Sequence, residues 1–565
     1  MKLTRLLTIV SIVLLATVAW VWWNRPQTID MAQYAPADAL IYLECNSLLD
    51  IAEGIVSTDA WRAVSPVLGK GGGQPGPWLR RLVSWTGIGP TQSVILARAQ
   101  VATVMLDLGA KEQGETLTIR PEAAILIETH TTERRMRPTV EEALRQFAEK
   151  AYPAPALQKK LIDGSEFTVW SAAGSDHQVV AAIEGSLVIV GNSERAVKAC
   201  LDVRRGLRPS LSNDREMQQL RQRLSANHAL AFGFISSANA VRLVSTGAPL
   251  LFGRTPGDAR FNQIFATSAA KALAGVGWSS HVSMGGIEDR YLFSLQPTLI
   301  SRLGPLFRAT DARSEAPNIL PGDVHSMTIY KFENPVAAWQ VFKTAVSAQL
   351  DTLSAIVFNS LLNASLASYG IEDPEKFLAM VGPEMVTARL TRDSERSVLI
   401  AQVRDEPALR KLLLGPSGER LKRKPSDQFE VMEIPGKNVA VSFFSGEVLI
   451  GRPEEVHRSI QAARSKQVLA LSSGREKLEH FLPLSNAAGV VTYSRDDERV
   501  LNFFLTIARM NGSSVAEDSS ALKSKIEALP YSVTETKMGD YGLERTTRSS
   551  LGQFATFVPL LLPER

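Results

Sequence analysis

The chain has 565 residues, and its apolar content of 45% and charged content of 21% are ordinary for a globular protein. Because domains usually contain about 100–200 residues, this length predicts two to four domains. The excess of 62 basic over 58 acidic side chains is too small to indicate a nucleic-acid-binding protein.

The first predicted element is an uncharged segment that starts at Leu6 and ends at Trp23. As a helix it would span about 27 Å, close to the thickness of a bilayer core. Lys2 and Arg5 precede it, whereas only Arg25 follows it closely. The positive-inside rule therefore places the N-terminus in the cytoplasm and the rest of the chain outside it.

A cleaved signal peptide is the alternative, because Thr17, Val18 and Ala19 form a small-x-small cleavage site. The tryptophans around this site make it a poor one and fit the aromatic belt of an anchor. Both interpretations send the body across the membrane. We therefore predict a single-pass inner (cytoplasmic) membrane protein, with residues 1–27 as the anchor and the body in the periplasm or another extracytoplasmic space.

The two cysteines, Cys45 and Cys200, lie in apolar surroundings. An oxidising compartment permits one disulfide at most. We expect two buried, unpaired thiols instead, because a free cysteine packs as a small apolar side chain.

Several segments resemble phosphate-binding loops without meeting their requirements. Residues 68–76 (LGKGGGQPG) lack the Ser or Thr that should follow the lysine of a nucleotide-binding loop, which indicates a surface loop. Gly191 and Gly451 each join a strand to a helix, but Glu194 and Glu454 in the first helical turns would repel an anion. We interpret both glycines as structural corners, with Asn192 or Ser193 capping the first helix and Pro453 beginning the second.

No residue pattern predicts a catalytic, cofactor-binding or metal-binding site. The seven histidines form no H-E-x-x-H motif, and the chain has no G-x-S-x-G elbow. Glu128 with His130 and Asp176 with His177 are the nearest approaches to metal-ligand pairs. Solvated or strand-edge residues are the favoured interpretation of all four.

Four further segments suggest surfaces. The basic clusters at residues 133–137 (ERRMR) and 420–424 (RLKRK) could contact lipid headgroups or polyanions, although a solvated face is favoured. An apolar stripe from Trp339 to Leu361 predicts one helix of about six turns that packs on the sheet, with a lipid or partner-helix groove as the alternative. The tail at residues 554–562 is too short to span a bilayer and should dock on the body or on a partner.

Short matches that keep the same order indicate an internal duplication. Pro36 matches Pro321, Gly191 matches Gly451, and the Met-Gly pair at Met284 matches the one at Met538. Copy one would cover residues 28–310 and copy two residues 311–565. Because neighbouring strand patterns are joined by turns too short for a crossover helix, we predict an α+β fold of two duplicated domains, each with a largely antiparallel sheet packed by helices.

The run from Tyr34 to Ile55 (YAPADALIYLECNSLLDIAEGI) resembles the opening of a bacterial family of membrane-anchored envelope proteins of unknown function. The strand and helix at LVIVGNSERAVKA extend this resemblance. It implies an anchored extracytoplasmic module and no catalytic or binding residue.

The predicted function is non-enzymatic binding or scaffolding in the cell envelope, with the membrane contacted between Leu6 and Trp23, a possible protein partner and no nucleic acid or cofactor. Two alternatives stay open: a carrier or sensor of a lipid or other apolar ligand, and an envelope hydrolase whose residues the sequence order does not bring together.

Overall fold

The computed structural model describes residues 28–68, 99–113, 116–152, 154–174, 177–243, 272–307, 315–348, 352–364, 366–393, 397–415, 430–434, 436–471, 473–481, 488–510 and 520–560. None of the helices in these ranges is long and apolar enough to cross a membrane. The predicted anchor that starts at Leu6 lies outside the described residues.

Nineteen strands in the described ranges form a single sheet. They are β1 (Ile41–Cys45), β2 (Gln100–Gln113), β3 (Thr116–Glu128), β4 (Ala156–Ile162), β5 (Ser165–Ser171), β6 (Gln178–Glu184), β7 (Leu187–Gly191), β8 (Ala231–Ser236), β9 (Leu273–Ser283), β10 (Gly286–Leu295), β11 (Ser326–Lys331), β12 (Val381–Arg389), β13 (Val398–Val403), β14 (Glu430–Glu433), β15 (Ala440–Phe444), β16 (Glu447–Gly451), β17 (Val490–Ser494), β18 (Ser532–Gly539) and β19 (Gly542–Ser549).

Many of the helices begin at a capping side chain, as at Ser47, Ser193 and Asn334, each of which accepts a backbone N–H of the helix that follows. The α-helices of the described ranges are α1 (Leu48–Val56), α2 (Asp59–Val64), α3 (Glu133–Ala151), α4 (Glu194–Arg204), α5 (Arg215–Arg223), α6 (Pro297–Leu303), α7 (Pro335–Ser347), α8 (Thr352–Ala364), α9 (Pro374–Met380), α10 (Glu406–Leu414), α11 (Pro453–Ser465), α12 (Ser473–Glu479), α13 (Asp497–Met510), α14 (Ser520–Glu527) and α15 (Phe554–Leu560).

The hydrogen-bonded strand order repeats itself from the two ends of the sheet inward. The first half runs β4–β5–β6–β7–β3–β2–β1–β8–β9–β10. The second half runs β14–β15–β16–β13–β12–β11–β17–β18–β19, which is the same order from β5 onward. The halves join where β10 pairs with β19, and all these pairs are antiparallel.

The predicted α+β class with antiparallel pairing is therefore confirmed. The expected arrangement of one sheet in each domain differs from the structure, because the strands of both halves continue into one sheet. Pairing β10 with β19 satisfies backbone groups that would otherwise form two exposed sheet edges.

Helices cover both faces of the sheet. Face A carries α1, α2, α3, α7, α9, α10, α13, α14 and α15, whereas face B carries α4, α5 and α11. At the centre of face A, helices of the two halves share one apolar core, in which the rings of Trp61 and Phe504 lie 5.8 Å apart. Burial of this shared apolar surface favours a fixed arrangement of the halves.

The apolar stripe from Trp339 to Leu361 is not one helix. It contains α7 and α8, and residues 349–351 between them lie outside the described ranges. The rings of Phe342 and Phe358 are 6.2 Å apart, whereas a straight helix would separate these positions by about 24 Å. The prediction of one long helix was wrong because apolar spacing does not reveal a change of chain direction.

The C-terminal tail was predicted to dock on the body or on a partner, and in the structure it docks on the body. Phe554 and Ala555 at the start of α15 are buried in the shared core. The ring of Phe557 packs edge-on against Trp278 at 5.6 Å. A helix of the second half thus covers a strand of the first.

Candidate functional site

The junction between the halves is the first candidate site, because ligand sites often lie where two domains meet. β10 and β19 pair from Ile287 opposite Ser549 to Ser294 opposite Gly542, with Arg290 near the centre. Charged side chains lie on both faces of this junction.

Asp289 organises the junction on face A. Its side chain is 1% exposed, and its carboxylate accepts hydrogen bonds from Trp278 Nε1 at 3.0 Å and from the Gln553 backbone N–H at 2.9 Å. Burial raises the pKa of Asp289 to about 6 although these hydrogen bonds oppose the change. Since Gln553 precedes α15, Asp289 fixes the C-terminal helix of the second half to a strand of the first.

Glu288 organises the junction on face B. Arg548 Nε lies 2.9 Å from Glu288 Oε2, and Arg290 Nε lies 2.6 Å from Glu288 Oε1. Burial opposes ionisation of Glu288, but the hydrogen bonds from the two guanidinium groups outweigh it and lower its pKa. Because Arg548 belongs to β19, this buried ion pair also links the two halves.

A hydroxyl–imidazole contact next to this ion pair resembles the start of a hydrolase triad. Ser279 Oγ lies 2.9 Å from His281 Nε2. Ser279 is fully buried, however, and its hydroxyl is also 2.9 Å from the Leu224 carbonyl oxygen. A nucleophile needs access to its substrate, so this contact is structural.

A buried polar row on face B is the second candidate. Gln100 and Glu128 lie opposite each other on β2 and β3, and each is 1% exposed. The Ile29 N–H donates to Gln100 Oε1 at 2.7 Å, and Gln100 Nε2 donates to the Ile29 carbonyl at 2.9 Å. Glu128 accepts from the Tyr34 hydroxyl at 3.3 Å and from the His130 backbone N–H at 2.9 Å. We call Gln100 and Glu128 the clamp, because they fasten the chain at Ile29 and Tyr34 to the sheet.

The second half has a polar row one strand further along, where Gln402 on β13, the counterpart of β3, lies opposite Glu447 on β16, the counterpart of β7. Glu447 is 8% exposed, and one of its carboxylate oxygens has no hydrogen-bond partner. The Glu447 carboxylate accepts a hydrogen bond from the Glu315 backbone N–H. Burial, with the nearby charges of Glu315 and Glu384, raises the pKa of Glu447 to about 7.

A third group of charges surrounds the start of α13. Arg495 lies 2.9 Å from Asp497, and Lys477 Nζ donates to the Glu527 carbonyl at 2.7 Å. Burial raises the pKa of Asp497 and lowers those of His325 and Lys477. The Lys477 hydrogen bond joins α12 to the end of α14, and the Arg495–Asp497 pair lies at the start of α13.

The chain matches no family model, no curated protein and no solved structure.

The structure packs Gly191 as a corner. A Cβ atom there would lie 2.9 Å from both the Ala123 carbonyl oxygen and Val197 Cγ2. Of the two predicted capping residues, Ser193 is the cap, since its Oγ accepts from the Ala196 N–H at 3.0 Å. Pro453 begins α11 as predicted.

The interpretation of Glu128 as a solvated or strand-edge residue was wrong, because β3 pairs on both sides and Glu128 is 1% exposed beneath Tyr34. His130 follows β3 with a positive φ of 53°, so the two residues do not share a strand face. Across the described ranges, no group of three or more His, Cys, Asp or Glu side chains could hold a metal ion. Asp176, the partner proposed for His177, lies outside those ranges.

Cys45 and Cys200 are both free thiols, as expected. Cys200 is buried, whereas Cys45 is partly buried. Burial raises the pKa of each thiol to about 12, which makes both poor nucleophiles at neutral pH.

The basic cluster at residues 133–137 forms the first turn of α3, where Arg137 pairs with Glu133 at 2.6 Å and Arg134 and Arg135 are exposed. The cluster at residues 420–424 and nearly all of the loop at residues 68–76 lie outside the described ranges.

Sequence reasoning missed Glu288, Asp289 and Arg548. Adjacent charges in a strand pattern normally indicate a solvated surface. A partial signal existed, because the strand patterns of β10 and β19 carry more charged residues than those of β7 or β16.

Proposed function

We propose that this protein is a membrane-anchored extracytoplasmic binding or scaffolding protein built from two duplicated halves. The matching strand orders of the two halves support the duplication. The proposed function rests on the continuous sheet that joins them.

The continuous sheet makes the body a wide, rigid platform. At about 4.8 Å between neighbouring strands, nineteen strands extend over roughly 85 Å of sheet. The junction strengthens this platform through eight residue pairs, the buried Glu288–Arg548 ion pair and the shared core. A rigid platform suits a scaffold, because partners bound at separate places keep a constant distance and orientation.

The clamp supports a fixed attachment to the membrane. Ile29 is held by two hydrogen bonds only a few residues after the predicted anchor. A chain without a long flexible linker transmits the position of the membrane to the whole platform.

The test is chemical cross-linking of the full-length protein in its native membrane, followed by mass spectrometry. A reproducible, stoichiometric protein partner whose cross-links map to a defined surface is the expected result. The matched control delivers the same body with residues 1–27 replaced by a cleaved signal sequence. Loss of the partner in this control would show that anchoring positions the platform.

Absence of any specific protein cross-link would overturn the scaffolding proposal. Lipid co-purifying with the body in a fixed ratio would then favour the carrier or sensor alternative. Turnover of envelope polymers by the purified full-length chain would favour the hydrolase alternative.

A further inference from the structure

We propose that one edge of the first half, where β3 ends and β7 begins, is a membrane-contact surface for anionic phospholipid headgroups. The surface consists of Arg134 and Arg135 at the start of α3 and Leu207 after the end of α4. This inference rests on the proposed anchor and adds which side of the body faces the bilayer.

The tether between the predicted anchor and the body is short. Trp23, the last residue of the predicted span, is six positions before Ile29, so an extended chain between them covers at most about 21 Å. The clamp holds Ile29 at the start of β2 and the end of β3. The part of the body around these strand ends must therefore lie close to the membrane.

Two basic segments, residues 133–137 and 205–208, meet at this same edge. The turn between β6 and β7 adjoins the end of β3, since the Thr129 N–H donates to the Ser186 carbonyl at 3.1 Å. On face A, Glu133 of α3 accepts from the Gly185 N–H of this turn at 3.1 Å. On face B, Arg205 lies 3.2 Å from Glu184, at the start of the turn. The segments that carry Arg134 and Leu207 are therefore both held, through Glu133 and Arg205, against the turn that adjoins the end of β3, although they are distant in sequence.

Leu207 is the exposed apolar residue of this surface. Its side chain is 72% exposed in a tight turn that begins at Gly206, whose φ is 73°. The turn is fixed, because the Leu207 N–H donates to the Asp202 carbonyl at 2.8 Å and the Ala37 N–H donates to the Pro209 carbonyl at 3.0 Å. A leucine presented to solvent on a rigid turn between arginines matches an interfacial membrane contact, in which the apolar side chain enters the headgroup region.

The charges at this edge suit phosphate groups. Arg134 and Arg135 are exposed, and a guanidinium group binds a phosphate through paired hydrogen bonds. Arg208 is paired with Asp38 and Arg205 with Glu184, so these two arginines hold the Leu207 turn in place. The edge thus combines an apolar insertion point with two cationic side chains.

The test measures the depth of position 207 in the bilayer. The full-length chain in a Cys45→Ser, Cys200→Ala background receives Leu207→Cys, carries an environment-sensitive fluorophore there and is reconstituted into nanodiscs with spin-labelled lipid as quencher. Leu471→Cys is the matched control, because Leu471 is 68% exposed but belongs to the second half. We expect about a twofold loss of fluorescence at position 207 and none at 471, because interfacial side chains lie roughly 5–10 Å deep.

A second arm tests the charges. Quenching at position 207 should be stronger in nanodiscs that contain phosphatidylglycerol than in nanodiscs of phosphatidylcholine alone. The Arg134→Ala/Arg135→Ala variant should lose this difference, since each cation near an anionic surface contributes roughly fivefold to adsorption. High salt should reduce it in the parent chain.

The outcomes separate the two proposals. A chain that elutes apart from the nanodiscs would refute the anchor and the contact surface together. A chain that stays with the nanodiscs but shows equal quenching at positions 207 and 471 would refute the contact surface alone. Circular dichroism verifies folding, and a label at Arg135→Cys gives an independent measurement of the same edge.

Discussion

Replacing Glu447 by glutamine should stabilise the protein at alkaline pH. Glu447 is almost fully buried in the polar row of the second half, where one carboxylate oxygen lacks a hydrogen-bond partner. Glu315 and Glu384 add like charges nearby. Glutamine keeps the shape of the side chain and an oxygen that accepts the Glu315 N–H, and it removes the buried charge.

The magnitude follows from the pKa of Glu447, which is raised from 4.5 to about 7. Because the native carboxyl binds its proton more tightly than the unfolded one, its stabilising effect is complete below pH 4.5 and is lost as the pH rises through 7. At pH 8 the ionised carboxylate costs about 3 kcal/mol. The Glu447→Gln variant should recover most of this at pH 8 and little at pH 5.

Thermal unfolding of the full-length protein at pH 5 and pH 8 measures this effect. About 3 kcal/mol corresponds to a rise in Tm of roughly 3 °C for a chain of this length. The control is Glu433→Gln, an exposed position on the edge strand β14, which should change Tm little at either pH. An unchanged or lower Tm for Glu447→Gln at pH 8, or an equal gain at both pH values, would refute the reasoning.

Three further substitutions test the junction and the corner. Arg548→Met should lower the free energy of unfolding by about 3–5 kcal/mol in denaturant titrations, because the buried Glu288 carboxylate loses one of its cationic partners. Adding Glu288→Gln to this variant should restore part of the loss, because it removes the buried charge. Trp61→Ala should lower the free energy of unfolding by about 3–5 kcal/mol and destabilise both halves together, since the shared core loses a large side chain. A loss of hydrogen-exchange protection in the first half alone would contradict this. Gly191→Ala should lower the free energy of unfolding by about 1–3 kcal/mol, seen as a lower Tm. Gly304→Ala, with no atom within 4 Å of the added Cβ, should be nearly neutral. Equal effects of the two substitutions would argue against crowding at the corner.

Local sequence patterns were sufficient for most single elements. The strand–glycine–helix pattern at Gly191 gave the correct corner and capping residue because these features depend on neighbouring residues alone. The apolar stripe at Trp339 failed because the reversal between α7 and α8 depends on which surfaces the two helices pack against. The solvated interpretation of Glu128 failed because Tyr34, whose hydroxyl donates to its buried carboxylate, is remote in sequence.

By itself, the sequence determined the α+β class, the antiparallel pairing and the repeated order of elements. These features depend on short turns and on the spacing of apolar residues, which involve only residues close together in the chain. Only the tertiary structure decided that β10 and β19 join the two halves into one sheet and that Glu288, Asp289 and Arg548 are buried there. The physical reason is that an open strand edge pairs with any suitable strand, however distant in the chain. The environment of a charged side chain is then set by that pairing.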